Sequence, residues 1–354
     1  MSRRQRTAQT ISSVVAACVM LAGGPAGAAG QTSPAGPVVG GCHVSPIVEN
    51  LDTSARFYHG LLGLDLVPTP PPGPLPVDTD PGHLHLHGLP QARLRFIGAR
   101  MPGVRCGVEL VEFTAVDRKP VHPRLSDPGA VTLILLVRDI DAAFTRLKGA
   151  GVHVVTTGGA PLNMSATNKT RAVIVTDPDG HFVELVQVDP LPDTTLPPTS
   201  NVIGIRLRVT VGDVDRTVQY YRSVLGIEEQ PRPFTSNRNV TAMMGLPDAE
   251  YRLSTGQVPG SPLLLEFLEF KGLDATPLRS RVQDPGSYRL QLTVRDIDAS
   301  IALLRGAGSR VISTGGEPVR MTFGARPWRL AVLPDLNNLF LIVQQGPLAP
   351  AGVP

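Results

Sequence analysis

The chain has 354 residues, 42% of them apolar and 18% charged, with 33 Lys and Arg against 30 Asp and Glu. That is enough chain for two or more domains, each with a sizeable core. The excess of three positive charges is matched by Arg3, Arg4 and Arg6 at the extreme N-terminus, so the remainder is neutral and has no basic footprint for nucleic acid or anionic lipid.

Residues 1–30 run from those arginines through an apolar stretch to the small residues Ala26, Gly27 and Ala28. This is the layout of a secretory signal peptide, too short and too glycine-rich for a stable membrane span, and it predicts an exported protein, periplasmic or secreted. Two variants stay open: "SRRQR" carries the twin arginine of a Tat signal, and "VAAC" at 15–18 resembles a lipobox that would make Cys18 a lipidated N-terminus. The other cysteines, Cys42 and Cys106, have no CxxC partner, and an oxidising compartment would permit a disulfide between them.

Further along, "HVSPIVENLDTSARFYHGLLG" (43–63) reads as an alternating strand, a capping turn and an amphipathic helix ending at Gly, and "TLILLVRDIDAAFTRLKGAG" (132–151) repeats the plan. The halves are copies: "GLPQARLRFIGARMPGVRCGVELVEF" (88–113) matches "GLPDAEYRLSTGQVPGSPLLLEFLEF" (245–270) at an offset of 157. The same offset carries residues 127–161 onto 284–318, and "DPLPDTTLPPTS" (189–200) is the linker. Strand-like runs follow each helix, so the pattern is β-α-β-β-β four times over. The predicted fold is α+β, with modules at about 38–118 and 129–188 forming a first domain (38–188). Modules at about 201–271 and 286–346 form a second (201–346).

"NLDTSARFYHGLLGL", "DIDAAFTRLKGAGV", "DPDGHFVELV" and "DVDRTVQYYRSVLGI" resemble the vicinal oxygen chelate superfamily, which includes glyoxalase I, extradiol dioxygenases and bleomycin resistance proteins. The resemblance spans about residues 38–346. It implies two glyoxalase-like domains of paired modules, each with a cupped sheet, and site residues at the start of each first strand and the middle of each last strand. Those positions are His43, Thr132, Arg206 and Arg289, and Glu109, Glu184, Glu266 and Leu341.

On that footing His43, Glu109 and Glu184 form a candidate metal site, one imidazole and two carboxylates for a divalent ion such as Zn, Mn, Ni or Mg. Glu184 or Glu109 is the candidate catalytic base for a lyase or isomerase acting on a small vicinally oxygenated substrate. The 2-His-1-carboxylate set of Fe(II) oxygenases is not met, which demotes ring-cleaving dioxygenase. Three alternatives stand beside this reading. In the first, the glutamates pair with arginines such as Arg206 or Arg289 across a module interface. An exchanged pairing of modules would split the three ligands between two cups. In the third, the protein is a metal-free module that sequesters a small molecule, as bleomycin resistance proteins do. "HLHLH" (83–87) reads as a solvated strand edge or loop, and His181 as a turn residue at the surface.

Overall fold

The structure, a computed structural model, describes residues 36–69, 73–78, 80–101, 107–323 and 325–347. The expected leader, Cys106 and the side chain of Cys42 lie outside the described residues. The first module comprises β1 (Val38–Pro46), α1 (Leu51–Ala55, continued by a π-helical turn Arg56–Leu61), β2 (Asp65–Val67), α2 (Pro81–Leu86), β3 (Arg93–Arg100) and β4 (Gly107–Thr114). The second has β5 (Val131–Val137), α3 (Ile140–Gly149), β6 (Leu162–Asn163), β7 (Arg171–Thr176) and β8 (Phe182–Gln187). The third has β9 (Val202–Thr210), α4 (Val214–Tyr220), α5 (Arg238–Met243), β10 (Glu250–Gln257) and β11 (Leu264–Lys271). The fourth has β12 (Tyr288–Val294), α6 (Ile297–Gly306), β13 (Val319–Phe323), β14 (Arg326–Pro334) and β15 (Phe340–Gln345).

Each major helix starts for the same local reason. Asn50, Asp139, Asp213 and Asp296 are extended residues whose side chains accept an N–H from the first turn, which satisfies donors that helix ends leave free. Each module also ties its helix to its sheet with one ion pair. Arg95, Arg171, Arg252 and Arg329 hold Asp52, Asp141, Asp215 and Asp298 of the first turn at 2.8, 2.6, 2.8 and 2.6 Å. A device repeated four times is independent support for the fourfold repeat.

The strands form two curled half-barrel sheets, in the orders β13-β14-β15-β12-β1-β4-β3-β2 and β10-β11-β9-β5-β8-β7-β6. The expected pairing within each half is therefore corrected: module 1 pairs with module 4, and module 2 with module 3. β1 runs antiparallel to β12, with Ser45 opposite Arg289, and β5 runs antiparallel to β9, with Thr132 opposite Arg208. The physical cause lies in the two connections at 115–130 and 272–287, which run side by side. Asp127 receives the Thr276 N–H and Arg124, and Asp284 receives the Lys119 N–H and Arg281. Each carboxylate thus binds an arginine of its own connection and a backbone donor of the other, and the clasp passes modules 2 and 4 across to opposite sheets. Strand order within the modules is shared by the two sheets, except that among the described residues the third module has no counterpart of the edge strands β2, β6 and β13, so its expected β-α-β-β-β plan is one strand short.

One core collects the helix-facing residues of both sheets, such as Val44, Leu110, Leu133 and Leu290, against Leu51, Tyr58, Leu147, Tyr221 and Ile301. Smaller apolar clusters line the concave faces, around Ile47, Val111 and Ile342 in one sheet and Ile134, Ile174 and Leu268 in the other. No helix among the described residues is long and apolar enough to cross a membrane.

Candidate ligand-binding site

Strand alternation decides which side chains reach the concave faces. Along β1, Val38 and Val44 pack in the large core, which turns His43 and Ser45 into the cup of modules 1 and 4. On β4, Glu109 and Val111 line that cup while Val108 and Leu110 point away. Opposite them β12 presents Arg289, Gln291 and Thr293, and β15 presents Ile342 and Gln344. The cavity has a volume of about 670 Å³.

Arg289 is the centre of this cup. Its residue is 2% exposed; one guanidinium nitrogen lies against Nε2 of His87, and another reaches Glu109 Oε2 at 3.3 Å. The Nδ1 of His87 is 2.7 Å from the His83 carbonyl, which can only accept, so Nδ1 carries the proton and Nε2 offers its lone pair to Arg289. Burial, then the Arg289 charge, holds His87 well below the usual histidine range. Burial also pushes Arg289 down to about 10, against the opposing pull of Glu109. Three nitrogens around this cavity are buried without a partner among the described residues: His43 Nε2, Arg100 Nε and Arg289 Nε. Buried polar atoms are nearly always satisfied, and the two guanidinium nitrogens can only donate.

The residues expected to hold a metal are not brought together. His43 and Glu109 line this cup, whereas Glu184 lies on β8 in the other. Glu109 Oε2 accepts from Ser45 and from Arg289, and a guanidinium on a carboxylate opposes a dication there. Among the described residues no three His, Cys, Asp or Glu side chains converge to hold an ion. The expected triad His43, Glu109 and Glu184 therefore does not fit a metal site, because the exchange of modules divides it.

In the cup of modules 2 and 3 a buried cluster of two arginines and two glutamates pairs internally. Arg208 lies between Glu184, at 2.5 Å, and Glu266, at 2.8 Å, with Arg206 at 3.6 Å from Glu266. Burial pushes Glu184 up, Arg208 draws it down and Glu266 pushes it up again. Thr132 is buried in β5 opposite Arg208. Around this cluster Met164, Val186, Phe234, Met243 and Leu253 enclose a cavity of about 310 Å³.

Three readings from sequence change. Leu341 belongs to the large core and Ile342 lines the cup. Seventeen positions separate Pro318 from Asp335 but sixteen separate Pro161 from Asp177, so one added residue breaks the offset before the last strand. Equivalence is fixed by the turns: Asp177 accepts from Tyr58 and the N–H groups of Asp179 and His181, as Asp335 does from Tyr221, Asn337 and Leu339. His181 is buried, 3.1 Å from the Ile47 carbonyl and edge-on to Tyr288. "HLHLH" lies on and just after α2, where His83 and His87 share one face and enter the cup while His85 is exposed. The N-cap Asp80, Pro81 at the first turn and Gly88 after the end were the signal for that helix.

Comparison with known proteins agrees with this architecture. Residues 42–185 match the sequence profile described as the Glyoxalase/Bleomycin resistance protein/Dioxygenase superfamily. No protein of curated function matches. Glyoxalase I from Zea mays superposes with a TM-score of 0.54 at 16% identity, covering 86% of this chain and 92% of that one. A protein described as a dioxygenase from Bacillus subtilis gives 0.52 at 13% identity, covering 88% and 87%. At such identities the likeness is one of fold.

Proposed function

We propose that this chain, of which residues 42–185 match the glyoxalase, bleomycin resistance protein and dioxygenase superfamily, binds a small anionic ligand in the cup of its first and fourth modules, without a metal at the residues expected to hold one. The observation that carries the reading is the set of nitrogens on Arg100, Arg289 and His43 that have no partner among the described residues around one cavity. Arg100 and Arg289 face one carboxylate, Glu109, so the charged lining has an excess of one positive charge that a monoanion would balance. Its oxygens would accept the free Nε–H groups, bonds that are strong because the donors are charged and buried.

A divalent metal serving a glyoxalase-like lyase or isomerase is the second reading, favoured by the buried, unpartnered Nε2 of His43 beside Glu109. The two readings separate on one preparation. Chelator-treated protein should bind hexanoate by calorimetry, Arg289→Gln should weaken that binding by at least about 30-fold, and added Zn or Mn should leave it unchanged. Stoichiometric metal that is lost in His43→Ala, with no hexanoate binding before metal is restored, would overturn the proposal.

Export is proposed alongside, on the arginine, apolar and small-residue pattern of residues 3–28.

A further inference from the structure

The walls of the same cup say what kind of anion it takes, and we infer that the ligand is a planar aromatic carboxylate. This inference rests on the anion-binding reading above and adds the class of molecule to it. The polar groups are gathered around Arg289, where His43, Glu109, His87 and Gln291 meet. Four rings line the same cavity in unbroken succession. Phe96 lies 5.4 Å from His83 and edge-on to it, His83 lies 6.1 Å from Phe323, and Phe323 lies 6.0 Å from Trp328 and edge-on to it.

Phe96 and Phe323 are among the few large apolar side chains that stay exposed, at 37% and 43%. An arc of rings on one cavity, two of them exposed, is an unsatisfied apolar surface of the kind that marks ligand sites. The rings come from three unrelated elements, β3, the β13–β14 hairpin and α2, so no single helix or strand pattern accounts for their meeting. Their edges and faces offer offset and T-shaped contacts that a flat aromatic ligand can join and a saturated one cannot. A cavity of about 670 Å³ accommodates a two-ring molecule whose head group reaches Arg289. In the other cup the buried guanidinium of Arg208 already holds Glu184 and Glu266.

Calorimetry on the chelator-treated full chain tests this with three probes of one shape: 1-naphthoate, decahydro-1-naphthoate and 1-naphthalenemethanol. The expected result is that 1-naphthoate binds about 10-fold more tightly than the saturated acid, the gain that two added ring contacts supply. The alcohol should bind at least about 30-fold more weakly than 1-naphthoate. The double variant Phe96→Ala/Phe323→Ala, altered only at exposed rings, should bring the two acids to the same affinity. Equal affinities of the two acids for the unaltered protein, or a preference that survives the double variant, overturn the aromatic class while the anion reading stands. An alcohol that binds as tightly as 1-naphthoate overturns the anion reading and the inference with it.

Discussion

Replacing Arg208 with Met should destabilise the protein by about 3–5 kcal/mol at pH 7, measured by denaturant unfolding. The substitution keeps the aliphatic bulk but leaves Glu184 and Glu266 buried without the guanidinium that separates them, and an uncompensated buried charge is costly. The deficit should shrink as pH falls, because Glu184, whose pKa burial raises, then takes up a proton and loses its charge. Adding Glu184→Gln and Glu266→Gln to the same protein should recover most of the loss, since the stranded charges are gone. A loss below about 1 kcal/mol for Arg208→Met, no larger than that of a surface substitution, would show that the cluster is not the closed ion pair the geometry describes.

Much of this architecture is legible in the chain, and the parts that are not have physical causes. The four helix caps, the alternation of His43 with Val44 and of Glu109 with Val108, and the duplication all follow from local pattern. Module pairing does not, because copies with the same first strand offer equivalent edges, and the choice is made by the clasp between residues 115–130 and 272–287. That single choice divides His43 and Glu109 from Glu184, so a correct list of inward residues still gives a wrong constellation. Pairing of the glutamates with arginines, left open from sequence, is what the structure contains: Glu109 with Arg289 and Glu184 with Arg208. His87 was missed because histidine in alternate positions imitates a strand, whereas the capping residues on either side specify a helix.

Glu229 should make the protein less stable as pH rises from about 5 to 8. The residue is 0% exposed, and among the described residues one carboxyl oxygen has no partner while the other receives the Ser254 hydroxyl. Burial pushes its pKa from 4.5 up to about 8, with Glu266 adding to the rise and Ser254 opposing it. The folded state therefore holds a proton between those two values that the unfolded chain releases. The stabilisation is complete below about 4.5, declines as pH rises and is gone above about 8. Glu229→Gln mimics the protonated acid and should flatten this slope. It should match the unaltered protein at pH 5 and exceed it at pH 8.5 by a few kcal/mol, at most about 5. Parallel stability curves for the two proteins would rule out a buried neutral acid at this position.

The most direct test of the central claim, an anion held by Arg289 in the cup of modules 1 and 4, is a crystal structure of chelator-treated protein with 4-bromobenzoate located by the anomalous signal of its bromine. The expected result places the carboxylate against the Nε–H of Arg289 and the bromine among Phe96, Phe323 and Trp328. A bromine among Met164, Phe234 and Leu253 in the other cup, or no ordered ligand at saturating concentration, would contradict it.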